Sequence, residues 1–482
     1  MGNMSLEQIK SRLAVVGQEH LVKFYDELAP SARAGLLEQI ASLDLEALPA
    51  LVRDYVHNKP AFELPPGLEP APYYPFDAAQ GGKGVAQSYD RAAAWKAGED
   101  LIRRGKVAAF VVAGGQGSRL GFEGPKGCFA AGAVTGKSLF AFFADNLLGV
   151  RDRYGVLVPW YVMTSPLNHA ATVSFFETNK HFGLGRENVR FFPQGVMPSL
   201  DVKTGKVLLA GRGEVATNPD GHGGSLKALF LSGAIADMKK RGVEHVSYFQ
   251  VDNPCVRAVD PVFLGLHAGA RDSSAEMSSK MVPKVAPEEK VGVFCKARGK
   301  VEVIEYSDLP MDLQRERLQD GSLRFIAGSI AIHAIGVAFV ERLVSDPKFQ
   351  LPYHRAEKKI PCVDPATGAT VTPTANNGVK LERFVFDALA MARGSIVYET
   401  DRVEEFAPIK NAAGADSVES SRALQTLRAA RWLERAGVAI PRRADGSPDC
   451  VIELSPRTAT CSEHLAGAKL PKAIERGARV AL

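Results

Sequence analysis

A glycine-rich segment with two basic residues follows an apolar run at residues 111 to 129, VVAGGQGSRLGFEGPKGCF. Its glycines let the backbone come close to a ligand, and consecutive amides that point inward form an anion-binding concavity. Arg119 and Lys126 add positive charge of the kind that stabilises phosphoryl groups. The alternative is a tight strand-to-helix turn with a solvated arginine and lysine. The combined pattern favours a phosphate-binding loop.

Two familiar phosphate-binding patterns do not fit this segment. The dinucleotide fingerprint GxGxxG fails because Leu120 stands where the third glycine is required. The P-loop pattern GxxxxGK[ST] also fails, because the downstream VTGKS is preceded by Ala131 at the position of the first glycine. The remaining pattern is a strand followed by GGxGxRLG and then PKG.

Two further segments carry candidate chemistry. YFQVDN (248–253) ends an apolar strand on Asp252, at the sheet edge where open α/β folds bind ligands, and a carboxylate there is suited to Mg²⁺. The alternative role for Asp252 is to cap the next turn. PDGHGGSLKAL (219–229) is a glycine-rich entry to a helix that suits close approach of a base or sugar, or is an ordinary helix-entry loop.

These motifs resemble the signature of the UDP-sugar pyrophosphorylases, with the N-acetylhexosamine type nearest in pattern. The resemblance starts with the GGxGxRLGxxxPKG segment and continues, in order, from residue 107 to residue 412. The matching blocks are WYVMTS, FFPQG, NPDGHGG, VDNPCVRAVDPVF, VIEYSDL, YHRAEKKIP, GVKLERFVFD and EEFAPIKNA.

The resemblance implies roles for individual residues. The catalytic set would be Arg119, Lys126, Asp252 and Lys410, with Asp252 as the metal ligand. The nucleotide would be bound by Val112, Ala113, Gly114, Gly115, Gly117, Gln194 and Gly221. The sugar would face His222, Glu305, Tyr306 and Ser329, and the phosphates would face Lys126, Lys380 and Lys410. Taken alone, Lys380, Lys410 and Gln194 would be solvated surface residues.

Two positions depart from the N-acetylhexosamine pattern. His222 replaces the asparagine of the usual GNGG loop, and Ser329 replaces a second asparagine. A GHG loop is typical of glucose-type relatives. The two residues therefore either are tolerated substitutions or change the sugar specificity.

The expected activity is uridylyl transfer from UTP to an N-acetylhexosamine 1-phosphate, reversible and dependent on Mg²⁺. The alternatives are the same reaction with glucose or galactose 1-phosphate, and a UDP-sugar-binding protein without catalysis. Phosphoryl transfer of this kind depends on positioning and charge, with no nucleophilic side chain, so Cys128 is expected to be a packing residue.

The elements that position these residues follow an α/β pattern. Six apolar stretches alternate with helical stretches: KVAAFVVA, VPWYVMTS, VRFF, VSYFQVD, KVEVIEY and GSIAIHA. The resemblance implies a Rossmann-like nucleotidyltransferase domain with a mixed, mostly parallel sheet, a helical N-terminal region and a small C-terminal α+β domain. The predicted domain ranges are 1–104, 105–400 and 401–482.

Local patterns add detail at three places. Apolar spacing predicts a helical pair between Leu6 and Val56, and Asp90 to Gly105 predicts a capped helix. Prolines between residues 59 and 75 predict an extended arm that packs on another surface. Residues 201–210 predict a hairpin that turns at Thr204 and Gly205.

The composition excludes several classes of protein. The formal charge of +5 over 482 residues is too small for a nucleic-acid-binding surface, and 46% hydrophobic with 23% charged residues is typical of a folded domain. Six scattered cysteines predict no disulfide scaffold or zinc site. No apolar run reaches membrane-spanning length, so we expect a cytoplasmic protein, monomeric or weakly homo-oligomeric, without membrane or nucleic-acid partners.

Overall fold

The computed structural model describes residues 4–58, 62–79 and 81–482; part of the predicted proline-rich arm, residues 59–61, lies outside these ranges. The chain forms two compact units. Unit 1 contains Met1–Glu63, Gln194–Gly224 and Gln350–Val385, and unit 2 contains Leu64–Pro193, Ser225–Phe349 and Phe386–Leu482. The predicted domain boundaries near residues 104 and 400 stay a prediction. Within the described ranges, no helix combines the length and apolar composition needed to cross a membrane.

The α-helices and strands are numbered in chain order. The helices are α1 (Leu6–Val15), α2 (Pro30–Ser42), α3 (Leu48–Leu51), α4 (Arg91–Arg103), α5 (Leu139–Tyr154), α6 (His169–Thr178), α7 (Gly224–Leu231), α8 (Ala234–Lys240), α9 (Pro261–Gly269), α10 (Met311–Arg315), α11 (Val337–Ser345), α12 (Arg402–Glu405) and α13 (Val418–Arg435). The strands are β1 (Glu69–Pro70), β2 (Val107–Val112), β3 (Trp160–Thr164), β4 (Val189–Pro193), β5 (Val196–Pro198), β6 (Leu200–Asp201), β7 (Leu209–Gly211), β8 (Glu214–Val215), β9 (Thr217–Pro219), β10 (His245–Gln250), β11 (Met277–Pro283), β12 (Val293–Ala297), β13 (Lys300–Ile304), β14 (Ala327–Gly336), β15 (His354–Lys358), β16 (Cys362–Val363), β17 (Thr370–Val371), β18 (Gly378–Glu382), β19 (Val397–Glu399), β20 (Val451–Glu453) and β21 (Arg479–Ala481).

A large mixed sheet forms the centre of unit 2, in the order β1-β12-β14-β10-β2-β3-β4. The neighbours β10, β2, β3 and β4 are parallel, and β14 joins β10 in antiparallel fashion. The strands β11, β13 and β19 extend the sheet beside this path. All six strands predicted from the sequence are present, as β2, β3, β4, β10, β13 and β14. The predicted α/β fold with a mixed sheet is confirmed.

The central strands β2 and β3 are apolar over nearly their whole length. All residues of β3 and all but the last of β2 are buried, as expected for parallel strands covered on both faces. The helix predicted from Asp90 is α4, and the Asp90 side chain accepts a hydrogen bond from the Ala93 amide. The described part of the arm packs as predicted, since β1 pairs with β12 and Tyr74 is 7% exposed.

Unit 1 has a separate apolar core. The buried faces of α1 and α2 contribute Ile9, Leu13, Leu36 and Ile40 to one cluster that also contains residues of the short strands. The hairpin predicted at 201–210 is present, because Leu200 bridges Val207 and the amide of Gly205 donates to Asp201 O at 3.0 Å.

The segment after residue 400 belongs to unit 2 and has its own small core around α13, β20 and β21. The carboxylate of Glu453 attaches it to the sheet domain by accepting hydrogen bonds from the amides of Val134 and Thr135 at 2.8 and 2.9 Å. The cysteines are all free. Burial raises the pKa of Cys128 to about 12, so it is a thiol at neutral pH and suits the predicted packing role.

Two glycines allow α4 and α9 to cross at backbone distance. A Cβ on Gly98 would lie 2.6 Å from the carbonyl carbon of Pro261, and a Cβ on Gly265 would lie 2.7 Å from that of Ala94. Side chains at these positions would force the two helices apart. The crossing buries apolar residues of α4 and α9 in the core of unit 2.

We predict that Gly265→Ala lowers the free energy of unfolding by about 1–3 kcal/mol, because the added methyl group overpacks a backbone contact. The measurement is urea unfolding followed by circular dichroism. Gly269→Ala, in the same helix with no atom within 4 Å of the added Cβ, is the matched control and should be neutral or stabilising by up to about 1 kcal/mol. Equal effects of the two substitutions would contradict the close crossing.

Candidate active site

The candidate site starts from the parallel register of β2 and β10. The final pair of this register joins Val112 to Gln250, and the amide of Val251 donates to Val112 O at 3.2 Å. The strand that follows β2 in the chain, β3, is its neighbour on one side, and β10 is its neighbour on the other side. The carboxyl ends of β2 and β10 therefore form a topological switch point, where open α/β sheets bind ligands.

The glycine loop after β2 is folded on itself by backbone hydrogen bonds. Lys126 N donates to Gly115 O at 3.0 Å, and Gly117 N donates to Gly124 O at 2.9 Å. Gly121 has a φ of 67°, which explains the glycine at that turn. In the part of the chain that the structure describes, the amides of Gly114, Gly115 and Gln116 have no protein acceptor. They form the type of backbone concavity that binds an anion.

Both cations of this loop are available to a ligand. Arg119 is exposed and Lys126 is half-buried. Neither side chain forms an ion pair with a described residue, whereas most arginines on this protein's surface do. Their charge therefore adds to the field at the open amides without an internal counter-ion.

Asn168 anchors the glycine loop and was not predicted from the sequence. Its buried side chain donates from Nδ2 to Ala113 O at 2.9 Å and to Gly115 O at 3.3 Å, and its Oδ1 accepts from the amide of Ser165 at 2.8 Å. An asparagine before α6 has the sequence signature of a helix cap. Only the packing of β3 beside β2 brings its side chain to the loop.

A cavity of about 180 Å³ opens beside the end of β10, within unit 2. Four predicted site residues line it: Asp252, Glu305, Ser329 and Lys410. The amide of Ile409 donates to Asp252 O at 2.8 Å, which brings the Lys410 segment to the end of β10. Lys410 Nζ lies 3.7 Å from the Asp416 carboxylate, and both side chains are more than a third exposed. This ion pair is weak enough to exchange for a ligand phosphate.

A bulge in β14 shapes one wall of the cavity. The pairing of β11 with β14 shifts between Met281, opposite Ser329, and Ser279, opposite His333. Ala331 has a φ of 54° within this irregular stretch, and strained backbone of this kind recurs at ligand sites. Residues 329–332 line the cavity as a result. Of the predicted sugar pair, Glu305 lines the cavity, and Tyr306 is 39% exposed and does not.

The remaining predicted residues lie in unit 1. Gln194 is buried, and Lys380 lies half-buried on β18, opposite Ala356 of β15. Gly221 has a φ of 80° and belongs to a loop that is hydrogen-bonded to the segment after β18, with Gly223 N donating to Arg383 O at 2.7 Å. Close packing against the protein's own backbone therefore accounts for these glycines.

His222 is part of the same packing. Its ring is parallel to that of Phe384, with centroids 5.0 Å apart, and its Nδ1 accepts from the Val385 amide at 3.0 Å. Burial, and secondarily the charge of His354, lower the pKa of His222 to about 4. The imidazole is therefore neutral at physiological pH, with its proton on Nε2.

An open α/β sheet with an anion-binding glycine loop and a strand-end carboxylate at the switch point is the arrangement of a nucleotidyltransferase. The family model described as UTP–glucose-1-phosphate uridylyltransferase matches residues 84–452, and the chain belongs to this family.

Relatives match along nearly the whole chain. A human UDP-N-acetylhexosamine pyrophosphorylase-like protein 1 is 36% identical, covering 96% of this chain and 94% of that protein. A Saccharomyces cerevisiae UDP-N-acetylglucosamine pyrophosphorylase is 33% identical, covering 93% and 94%. Among solved structures, the Trypanosoma brucei uridine diphosphate N-acetylglucosamine pyrophosphorylase in complex with inhibitor matches with a TM-score of 0.79 at 26% identity, covering 98% of both chains.

We predict that Asn168→Ala lowers the free energy of unfolding by about 1–3 kcal/mol, because it leaves the buried Ala113 carbonyl and the Ser165 amide without their side-chain partner. Hydrogen exchange in residues 113–126 should accelerate at the same time. Asn179→Ala is the control, since Asn179 is exposed and bonds only within its own helix end. A loop that exchanges at the wild-type rate in Asn168→Ala would refute the anchoring role.

Proposed function

We propose that the protein transfers the uridylyl group of UTP to an N-acetylhexosamine 1-phosphate, releasing pyrophosphate and forming a UDP-sugar in a reversible reaction. The observation that carries this proposal is the placement of Asp252, Glu305 and Lys410 around one cavity at the end of β10, beside the register that holds the glycine loop. The relatives described above match this chain over nearly their whole length, and their names support the choice of substrate.

The mechanism requires positioning and charge. A sugar phosphate oxygen attacks the α-phosphorus of UTP, and pyrophosphate leaves on the opposite side. The open amides of residues 114–116 with Arg119 and Lys126 would bind the phosphate oxygens, and Lys410 would approach from the cavity. Lys380 is proposed as a further phosphate ligand. Neutral Cys128 takes no part, since its thiol is not ionised.

The donor set at Asp252 fits Mg²⁺. This ion is usually bound through one or two carboxylates together with substrate phosphates and water. Among the described residues there is no cluster of three or more histidines, cysteines, aspartates or glutamates that could hold a metal by itself. Asp252 would therefore supply the protein carboxylate, and the bound ion would neutralise phosphate charge during transfer.

We propose that the acetamido sugar is retained as the substrate despite His222 and Ser329. The Nδ1 atom of His222 accepts a backbone hydrogen bond, a role that the carbonyl oxygen of an asparagine also performs. Ser329 lines the cavity with a smaller side chain than asparagine, which leaves room for a bulky substituent on the sugar.

The scattered free cysteines support a cytoplasmic location.

We predict that Arg119→Ala and Asp252→Ala each lower kcat by ~10²–10³-fold, because each removes a charge that stabilises the transferring phosphoryl group. Melting temperatures should stay near the wild-type value, since neither side chain is buried. The assay is pyrophosphate release with UTP, Mg²⁺ and saturating sugar phosphate. Arg271→Ala, an exposed arginine outside the site, should keep full activity. Full activity of either site variant would remove its proposed role.

The sugar preference is tested with four substrates in parallel. We predict that N-acetylglucosamine or N-acetylgalactosamine 1-phosphate gives a kcat/KM at least about tenfold above that of glucose and galactose 1-phosphates, since a site built to bind the acetamido group would leave its polar groups unpaired with a sugar that lacks it. His222→Asn should keep this preference, because it keeps the acceptor for the Val385 amide.

Two results would support the rival functions. A preference for glucose or galactose 1-phosphate would mean that His222 and Ser329 change the specificity. Tight UDP-sugar binding without pyrophosphate release for any of the four sugars would indicate a binding protein.

A further inference from the structure

A fully buried lysine lies on β11, the strand that pairs with the cavity-lining strand β14. Lys280, in the middle of β11, has no exposed surface. Its Nζ donates to Asp260 Oδ2 at 2.6 Å and to Glu405 Oε1 and Oε2 at 2.8 and 2.6 Å. The rings of Phe263 and Tyr398 lie 5.4 and 5.8 Å from the ammonium. All of its hydrogen-bonding capacity is therefore used inside the protein.

A second cation extends this group. Arg257 Nη2 lies 3.3 Å from Glu404 Oε2 and Arg257 Nη1 lies 4.0 Å from Asp260. Burial by itself raises the pKa of Asp260, and the charges of Lys280 and Arg257 more than reverse this, so its pKa lies below the ordinary value. We call Lys280, Asp260, Arg257, Glu404 and Glu405 the buried charge cluster; their side chains are at most 5% exposed.

The buried charge cluster is connected directly to the two segments that carry Asp252 and Lys410. Glu405 Oε1 accepts from the amide of Arg257 at 3.0 Å, and Glu405 O accepts from Asn253 Nδ2 at 2.6 Å. Asn253 Oδ1 in turn accepts from the amide of Ala407 at 3.2 Å. Glu405 thus joins the turn after β10 to the start of the Lys410 segment.

Stability alone does not account for such a cluster. Desolvating an ion pair costs about as much as the attraction returns, and well-packed apolar side chains in its place are often neutral or stabilising. What the charged groups add is direction, because each carboxylate oxygen must meet a particular donor. Apolar side chains of similar volume would fill the space without fixing the two segments relative to one another.

We propose that Glu405, oriented by Lys280, is a positioning residue that fixes the Lys410 segment against the turn bearing Asp252. The catalytic part of this inference rests on the proposed function. The positional part, the fixed geometry of residues 405–411, does not.

The test uses the full chain with Glu405→Gln, which keeps the shape of the side chain and removes its charge. Hydrogen exchange of residues 405–411 should accelerate by about tenfold or more, with little change elsewhere in the sheet. The value of kcat should fall by ~10–100-fold, as expected when a reacting group is misplaced by about 1 Å. In a Lys410→Ala background the same substitution should lower kcat by less than about twofold, because the group through which it acts is gone.

Two further variants separate positioning from stability. Glu276→Gln removes another buried carboxylate, which holds Arg342 and Arg393 at the start of β11, and should lower the melting temperature without changing kcat or exchange at 405–411. Lys280→Met combined with Glu405→Leu removes one positive and one negative charge, so the net charge of the cluster is unchanged; this apolar double variant should keep the low kcat and the fast exchange.

Any one of three results would overturn the proposal. Residues 405–411 could exchange at the wild-type rate in Glu405→Gln, or the fold decreases in kcat caused by Glu405→Gln and Lys410→Ala could multiply in the double variant. The third is that the apolar double variant recovers both the wild-type kcat and the wild-type exchange rate. If the wild-type protein releases no pyrophosphate with any sugar phosphate, the proposed function fails. The exchange measurements then still decide whether Glu405 fixes the segment.

Discussion

The parallel pairing of β2 with β10 is the constraint on which the rest of the site depends. It places the ends of two strands that are far apart in sequence side by side, with Val112 opposite Gln250. The glycine loop and Asp252 then emerge from the same sheet edge. Both strands are central in the sheet, and each is buried except at its last residue, which is typical of the segments that open least readily.

Two basic residues of unit 2 have opposite environments. Arg119 lies exposed and has no counter-ion among the residues that the structure describes, whereas Lys280 lies fully buried between two carboxylates. The first arrangement leaves charge available for a ligand, and the second removes charge from the surface entirely. Burial therefore decides whether a cation is available to a ligand or is used inside the protein.

Local patterns were sufficient for the fold class, the strands, the glycine loop and the position of Asp252 at a strand end, because each depends on neighbouring residues. The role of Asn168, the bulge at Ala331 and the pairing of Lys280 with Glu405 depend on contacts between distant segments, which have no local signature. The contacts of His222 with Phe384 and Val385 also join segments about 160 residues apart, so they have no local signature either, and its sugar-facing role stays a prediction.

The attachment of Lys280 to Glu405 also has a consequence for biosynthesis. The two residues are 125 positions apart, and β19, which completes the edge of the sheet beside β11, is made only shortly before Glu405. A nascent chain that ends before Glu405 holds an ammonium in the sheet with one of its two carboxylate partners absent. Lys280 therefore gains its second carboxylate partner only once the EEFAPIKNA segment has been made.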